Sequence, residues 1–126
     1  MSVNSNANAR AAGARYEDIA LAHLERAGLR LIARNHVCRY GEIDLVMREG
    51  EIVVFVEVRY RRSGAFGDGI DSVTASKRAK LVRAARAFLA AHPRLGDAVC
   101  RFDVLAITGD ARAPSLDWRR NAFDAC

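Results

Sequence analysis

The stretch that decides the fold is residues 41–60, GEIDLVMREGEIVVFVEVRY. Its first half alternates apolar and acidic residues, which is typical of a strand with two different faces. Its second half, IVVFVEVRY, is rich in β-branched residues and suits a strand that is buried on both faces. Glu49 and Gly50 separate the halves and favour a two-residue turn. The stretch therefore predicts an antiparallel β-hairpin.

A turn at Glu49-Gly50 would bring acidic side chains together on one face of this hairpin. It places Glu42 opposite Glu57, and alternation along the strands puts Asp44 and Arg59 on the same face as these two. Asp44 and Glu57 become diagonal neighbours, with roughly 7–8 Å between their backbones. At that separation both carboxylates can reach one cation.

Carboxylates on an otherwise apolar strand need a partner, because a buried unpaired charge costs several kcal/mol or shifts its pKa. A Mg²⁺ ion is one solution, since it binds one or two carboxylates together with water and phosphate oxygens. The other solution is purely structural, with Glu57 paired to Arg59 or Asp44 paired to an arginine. Geometry alone leaves both interpretations open.

The rest of the chain predicts a mixed β-sheet flanked by α-helices, an α/β fold. Residues 1–9 are polar and predict a disordered tail, and residues 10–126 predict a single domain. The expected elements are a helix over 10–27 closed by Gly28, a strand within 29–38, a helix from Thr74 to Ala91, a strand over 101–107, and a C-terminal WRRNAF segment that forms an edge strand or a docked tail.

Composition limits the classes of function. The 126 residues include 20 Lys and Arg against 15 Asp and Glu, a net charge of +5 that favours polyanion partners without proving them. No apolar run is long enough for a membrane span, so we expect no membrane partner. The three cysteines have no CxxC pair and fit a reducing cytoplasm.

Several motifs in this order resemble the bacterial YraN family of predicted endonucleases. The family is distantly similar to archaeal Holliday-junction resolvases and to restriction endonucleases, the PD-(D/E)xK group. The motifs are GEIDLV, VFVEVRYR, AFGDG, a helix bearing Lys77, RFDVLAI and a closing NAF. The resemblance implies a restriction-endonuclease-like sheet with a metal site on two central strands.

The resemblance also implies roles for individual residues. Asp44 matches the first metal-binding aspartate, and Glu57 matches the acidic residue of the (D/E)xK element. The backbone carbonyl of Val58 is an expected further ligand. Glu17, on the first helix, matches an acidic residue that completes the site in resolvase-like members. Glu42 is carried by the GEID motif and would support a ligand or bind the ion itself.

Arg59 departs from the wider nuclease group, which has lysine at this position. A lysine ammonium can orient a water molecule, whereas an arginine stays protonated and presents a planar fork suited to phosphate. Arg59 is therefore expected to neutralise charge in the transition state without releasing a proton.

Four further basic residues are candidates for contact with nucleic acid. Arg61 and Arg62 adjoin the proposed centre at the end of the hairpin, and Lys77 borders the apolar stripe of the second helix. From this position Lys77 can also reach the centre, a contact that the family resemblance supports. Lys80 turns further outward on that helix. The alternative for each of them is a solvated surface position, because basic side chains are usually solvated.

Three functions compete on this sequence. The first is a Mg²⁺- or Mn²⁺-dependent endonuclease acting on DNA rather than RNA, on branched or damaged structures, for which a two-fold homodimer would be suitable. The second is a non-catalytic nucleic-acid-binding module that retains the nuclease fold. The third is an interaction domain in which arginines neutralise the buried carboxylates.

Overall fold

The computed structural model describes residues 3–61, 74–110 and 112–123, with side chains of the first helix described from residue 15 onward. Two helices, five strands and one short 3-10 helix make up the secondary structure of these ranges. In chain order they are α1 (Val3–Arg26), β1 (Arg30–Cys38), β2 (Gly41–Glu49), β3 (Ile52–Arg61), α2 (Ala75–Ala91), the 3-10 helix (Pro93–Leu95), β4 (Cys100–Thr108) and β5 (Ser115–Phe123).

The five strands form one mixed sheet in the order β1-β2-β3-β4-β5. Neighbouring strands are antiparallel except for β3 and β4, which are parallel. A parallel pair requires a crossover connection, and α2 lies in it. The hairpin predicted from the sequence thus supplies the second and third strands, and β3 is the central strand.

The core lies in two layers because β3 buries both of its faces. Phe55 lies in the layer that contains the buried side of α2, including Phe88. Val54 and Val56 lie in the other layer, which contains Leu24 of α1. The two helices therefore pack on opposite faces of the sheet, and the prediction that β3 is buried on both faces is confirmed.

The hairpin turn lies one residue later than predicted. Glu49 pairs with Ile52, so Gly50 and Glu51 form the turn. Gly50 has a φ of 60° and takes the first central position, where a type II′ turn favours glycine. Moving a turn by one residue shifts the register by two, so the paired residues keep their predicted faces. Ile43, beyond the last pair, does not: it lies in the α2 layer, away from Leu45 and Met47. The predicted pairing of Glu42 with Glu57 is also wrong, because the ladder ends at Leu45 and Val56.

The start of α2 and the end of α1 lie where the sequence predicted them, whereas the start of α1 does not. Thr74 caps α2, and its Oγ1 accepts a hydrogen bond of 3.2 Å from the Lys77 backbone N–H. Gly28 follows α1 with a φ of 101°, as expected of a C-terminal glycine. The start of α1 at Val3 precedes the predicted start at residue 10 and includes most of the expected tail. Alanine, frequent in this stretch, has the highest helix propensity.

The WRRNAF segment belongs to an edge strand, β5, which pairs with β4 over its length. Neither helix of the described ranges combines the length and the apolar character that a membrane span needs. A mixed five-stranded sheet with a helix on each face is an α/β fold consistent with the restriction-endonuclease-like architecture that we expected.

Candidate metal centre

The candidate centre begins where β2 and β3 separate. Their ladder ends at the pair Leu45 and Val56. Immediately beyond it, Oδ2 of Asp44 accepts a hydrogen bond of 2.8 Å from the backbone N–H of Val58. The Asp44 carboxylate therefore lies between the two strands and takes the hydrogen bond that a regular ladder would give to a backbone carbonyl. This interaction fixes its position.

Asp44 and Glu57 contact each other through their carboxyl groups. Burial, together with the hydrogen bond and negative charge of Glu57, raises the pKa of Asp44 to about 8. The Val58 N–H acts in the opposite direction. Two adjacent carboxyls cannot both ionise easily, so Asp44 keeps a proton at neutral pH unless a divalent cation binds beside it. The predicted diagonal neighbours are thus in direct contact.

Lys77 reaches this pair from α2. Its Nζ lies 2.9 Å from Oε2 of Glu57, and Glu57 is only 7% exposed. The sequence assigned Lys77 to contact with nucleic acid, with a modest case for reaching the centre. In the structure its ammonium group lies at the carboxylates, held there by the first turn of α2.

Two more carboxylates complete a cluster around Asp44. Oxygens of Glu17, Glu42 and Asp44 all lie within 4.8 Å of one another. Glu17 comes from α1, on the face of the sheet opposite α2, and Glu42 precedes Asp44 by two residues on β2. We call Glu17, Glu42, Asp44 and Glu57 the carboxylate cluster.

Glu17 is fixed by two residues of β1. Nε of Arg34 lies 3.5 Å from its Oε1, and a hydrogen bond with the Asn35 side chain also stabilises its charged form. Burial nevertheless raises the pKa of Glu17. Asn35 has a φ of 53°, a left-handed conformation that asparagine tolerates better than most residues.

The donor set of this cluster fits a divalent cation. Mg²⁺ and Mn²⁺ prefer carboxylate oxygens, and three carboxylates converge here on a common point. Burial raises the pKa of both Asp44 and Glu17, and at Glu17 the charge of Arg34 does not offset it. A divalent ion would supply the missing charge.

The remaining predicted residues lie around the cluster. Arg59 is two residues after Glu57 on β3 and is half-buried, with its Nε atom buried. Arg61 ends β3, and its backbone carbonyl accepts a hydrogen bond of 3.2 Å from Gly109. Lys80 is exposed and lines a depression that also contains Glu42. Arg62 and the AFGDG motif lie outside the described residues. Ligation by the Val58 carbonyl stays a prediction.

Sequence reasoning missed a second polar network, centred on Asp103 of the RFDVLAI motif. Asp103 is 1% exposed and accepts hydrogen bonds from Arg101, from Trp118 Nε1 at 2.9 Å and from the Asn121 backbone at 2.9 Å. The network ties β5 to β4 and explains RFD and NAF as structural motifs. A lone aspartate in an apolar strand was the available signal.

Curated relatives resemble most of this chain. A UPF0102 protein of Stutzerimonas stutzeri is 54% identical over 109 residues, 86% of this chain and 91% of the relative. One of Xanthomonas campestris pv. campestris is 57% identical over 111 residues, 88% of this chain and 89% of the relative. One of Pseudomonas paraeruginosa is 46% identical over 125 residues, 98% of this chain and 100% of the relative.

A family model agrees with these relatives. The model described as "Uncharacterised protein family UPF0102" matches residues 16–107, which include α1 from Tyr16 onward, the hairpin, α2 and most of β4. The chain therefore belongs to the UPF0102 family, the YraN family that its motifs resemble.

Proposed function

We propose that this protein is a metal-dependent endonuclease of the cytoplasm that hydrolyses phosphodiester bonds of DNA. The observation that carries the proposal is the convergence of Glu17, Glu42 and Asp44 within 4.8 Å, beside the buried pair of Glu57 and Lys77. A purely structural site would leave fewer carboxylates facing one another, because such repulsion destabilises a fold.

Asp44, Glu17 and Glu42 would hold the ion, with Glu57 and the Val58 carbonyl as further ligands. Glu42, expected to support a ligand or bind the ion itself, has an oxygen within 4.8 Å of those of Glu17 and Asp44. A bound Mg²⁺ or Mn²⁺ supplies a Lewis acid for the phosphoryl oxygen and lowers the pKa of a water molecule.

The chain itself contributes two cationic groups next to the ligands. Lys77 holds a compact ammonium at Glu57, where it can orient a water molecule and stabilise developing negative charge. Arg59 remains protonated and is suited to a phosphate oxygen. Position 59 has arginine where the nuclease group has lysine. We assign the role of that (D/E)xK lysine to Lys77 of α2.

DNA is the proposed substrate because of the net charge of +5 and the resemblance to resolvases. Arg61, Arg62 and Lys80 are the proposed contacts to the phosphate backbone, which positions a protein without reading sequence.

A cleavage assay tests this function. Plasmid, single-stranded and four-way-junction DNA are incubated with the protein in Mg²⁺ and in Mn²⁺, beside Glu57→Gln and Glu25→Gln. Glu25 is an exposed residue of α1, so its variant is a charge-matched control. We expect cleavage by the parent and by Glu25→Gln, and none by Glu57→Gln. Equal cleavage by all three would indicate a contaminant, and none by any would contradict catalysis.

The second candidate is a nucleic-acid-binding module without turnover, favoured by Arg59 in place of lysine. It predicts DNA binding that survives Asp44→Asn, no cleavage by the parent, and cleavage gained in Arg59→Lys.

A further inference from the structure

A groove leads from the carboxylate cluster along α2. Its first part is a depression of about 110 Å³ whose lining includes Glu42, Lys77, Lys80 and Tyr40. Its second part is a wider depression of about 510 Å³ lined by Tyr40, Arg83, Arg86 and Ala87. Tyr40 lines both parts and Glu42 also belongs to the cluster, so the two depressions adjoin at Tyr40 and follow one another from the cluster to Arg86. We call it the Tyr40 groove.

The α2 side of the groove is strongly basic. The helix sequence ASKRAKLVRAARAFLAA contains five Lys and Arg and no Asp or Glu. Lys80, Arg83 and Arg86 are exposed, and acidic residues that could pair with them at helical spacing are absent from α2. A row of basic side chains without acidic neighbours on the same helix is typical of a surface that binds a polyanion.

The groove is long enough for several successive phosphates. Lys77 and Arg86 are nine residues apart, which corresponds to about 13 Å along a helix that rises about 1.5 Å per residue. Phosphates of one DNA strand rise about 3.4 Å along the axis of a duplex and lie farther apart along an extended single strand, so this length accommodates a few of them. A strand whose scissile phosphate lies at the carboxylate cluster can therefore continue along α2.

Tyr40 gives the groove an aromatic wall. It lies in the turn between β1 and β2, is half-buried, and packs against the core layer beneath α2. The Arg39 guanidinium lies over the face of its ring, 5.2 Å from the centroid, so a base that stacks on this face would take the place of Arg39. An anchored ring beside a row of cations is the arrangement that binds single strands, because a base can stack on the ring while its phosphates meet the cations. A duplex keeps the faces of its bases covered.

We propose that the Tyr40 groove binds a single-stranded segment of the DNA substrate, with a base on Tyr40 and phosphates on Lys80, Arg83 and Arg86. The proposal rests on the proposed function, since the groove begins at the carboxylate cluster. The preferred substrate would then be DNA in which one strand is unpaired next to the cleaved bond.

The test measures binding without cleavage. Fluorescein-labelled oligothymidylate and a duplex of equal length are titrated by anisotropy in EDTA at about 50 mM salt, where electrostatic contacts are strong. Tyr40→Leu removes the ring and keeps apolar packing, and Tyr40→Phe keeps the ring. We expect Tyr40→Leu to weaken single-strand binding about tenfold or more, with Tyr40→Phe and duplex binding close to the parent.

A second variant tests the basic residues of the groove. Replacing Arg83 and Arg86 together by glutamine should lower the salt dependence of single-strand binding by about 1.4 in the slope of log K against log salt, about 0.7 for each phosphate contact. Arg26 and Arg30, both exposed and outside the groove, give the matched double variant, which should keep the parent slope.

Two results would contradict single-strand binding in the Tyr40 groove. One is single-strand binding by Tyr40→Leu equal to that of the parent, and the other is the same salt slope in both double-arginine variants. Because the assay contains no metal, it is independent of catalysis. Single-strand binding that depends on Tyr40 in a protein that cleaves nothing would refute the proposed nuclease and leave the groove intact.

Discussion

The Asp44 side chain accepts a hydrogen bond from the Val58 amide and also contacts a second carboxyl, that of Glu57. The first interaction needs only an oxygen acceptor, whereas the second depends on charge. An asparagine would keep the first and remove the repulsion of the second. Asp44 is therefore a position where function and stability can be separated experimentally.

We expect the metal-free protein to lose stability between about pH 4 and about pH 8. The pKa of Asp44 is about 8 in the folded protein against an ordinary 3.8, raised by burial, Glu57 and Glu17. Stability from a raised carboxyl pKa is complete below the unfolded value and is lost as the pH rises through the folded value. The slope for one proton is at most about 1.4 kcal/mol per pH unit.

Denaturant unfolding in EDTA at a series of pH values measures this slope. Asp44→Asn should flatten it and should be more stable than the parent at high pH, because the asparagine side chain still accepts the Val58 N–H. A slope that is the same in both proteins would show that the Asp44 carboxyl is not protonated in the folded state.

Lys77 and Lys80 lie three residues apart on α2 but should affect different kinetic constants. Lys77 lies at Glu57, so Lys77→Gln should lower kcat about a hundredfold, in the range seen for lost transition-state donors. Lys80 lines the Tyr40 groove, so Lys80→Gln should raise KM and leave kcat unchanged. Steady-state cleavage of the same substrate measures both constants, and a lower kcat in Lys80→Gln alone would reverse the assignment.

The strands show which features of the site could be predicted from sequence. Alternation placed Asp44 near Glu57, and their contact survived a misplaced turn because the register moved by two residues. The support of Glu17 by Arg34 had no local signal, since it depends on how α1 packs against β1. The contact between Lys77 and Glu57 likewise depends on the crossover between β3 and β4.

The β4–β5 pair should depend on Asp103 for stability and not for metal binding. Asp103→Ala leaves the half-buried Arg101 guanidinium without its bidentate partner, and breaking a buried ion pair in this way costs about 3–5 kcal/mol. Denaturant unfolding measures the loss. The stabilisation of the folded variant by Mn²⁺ should persist, and its disappearance would place Asp103 in the metal centre.

The whole molecule brings three separate elements to one point. The hairpin supplies Asp44 and Glu57, α1 supplies Glu17 from one face of the sheet, and α2 supplies Lys77 from the other. This is possible because β2 and β3 separate at Asp44 and open the sheet to both faces. The order of elements and the mixed sheet followed from sequence patterns. That residues from both faces of the sheet meet at Asp44 could be seen only from the three-dimensional packing.

The central claim is that the carboxylate cluster binds a divalent cation, and calorimetric titration with Mn²⁺ tests it most directly. The parent and Glu25→Gln should bind Mn²⁺ with release of a proton at neutral pH, because Asp44 must ionise to become a ligand. Asp44→Asn should bind at least about tenfold more weakly, with less proton release. Unchanged Mn²⁺ binding by Asp44→Asn, or none by the parent, would contradict the metal centre.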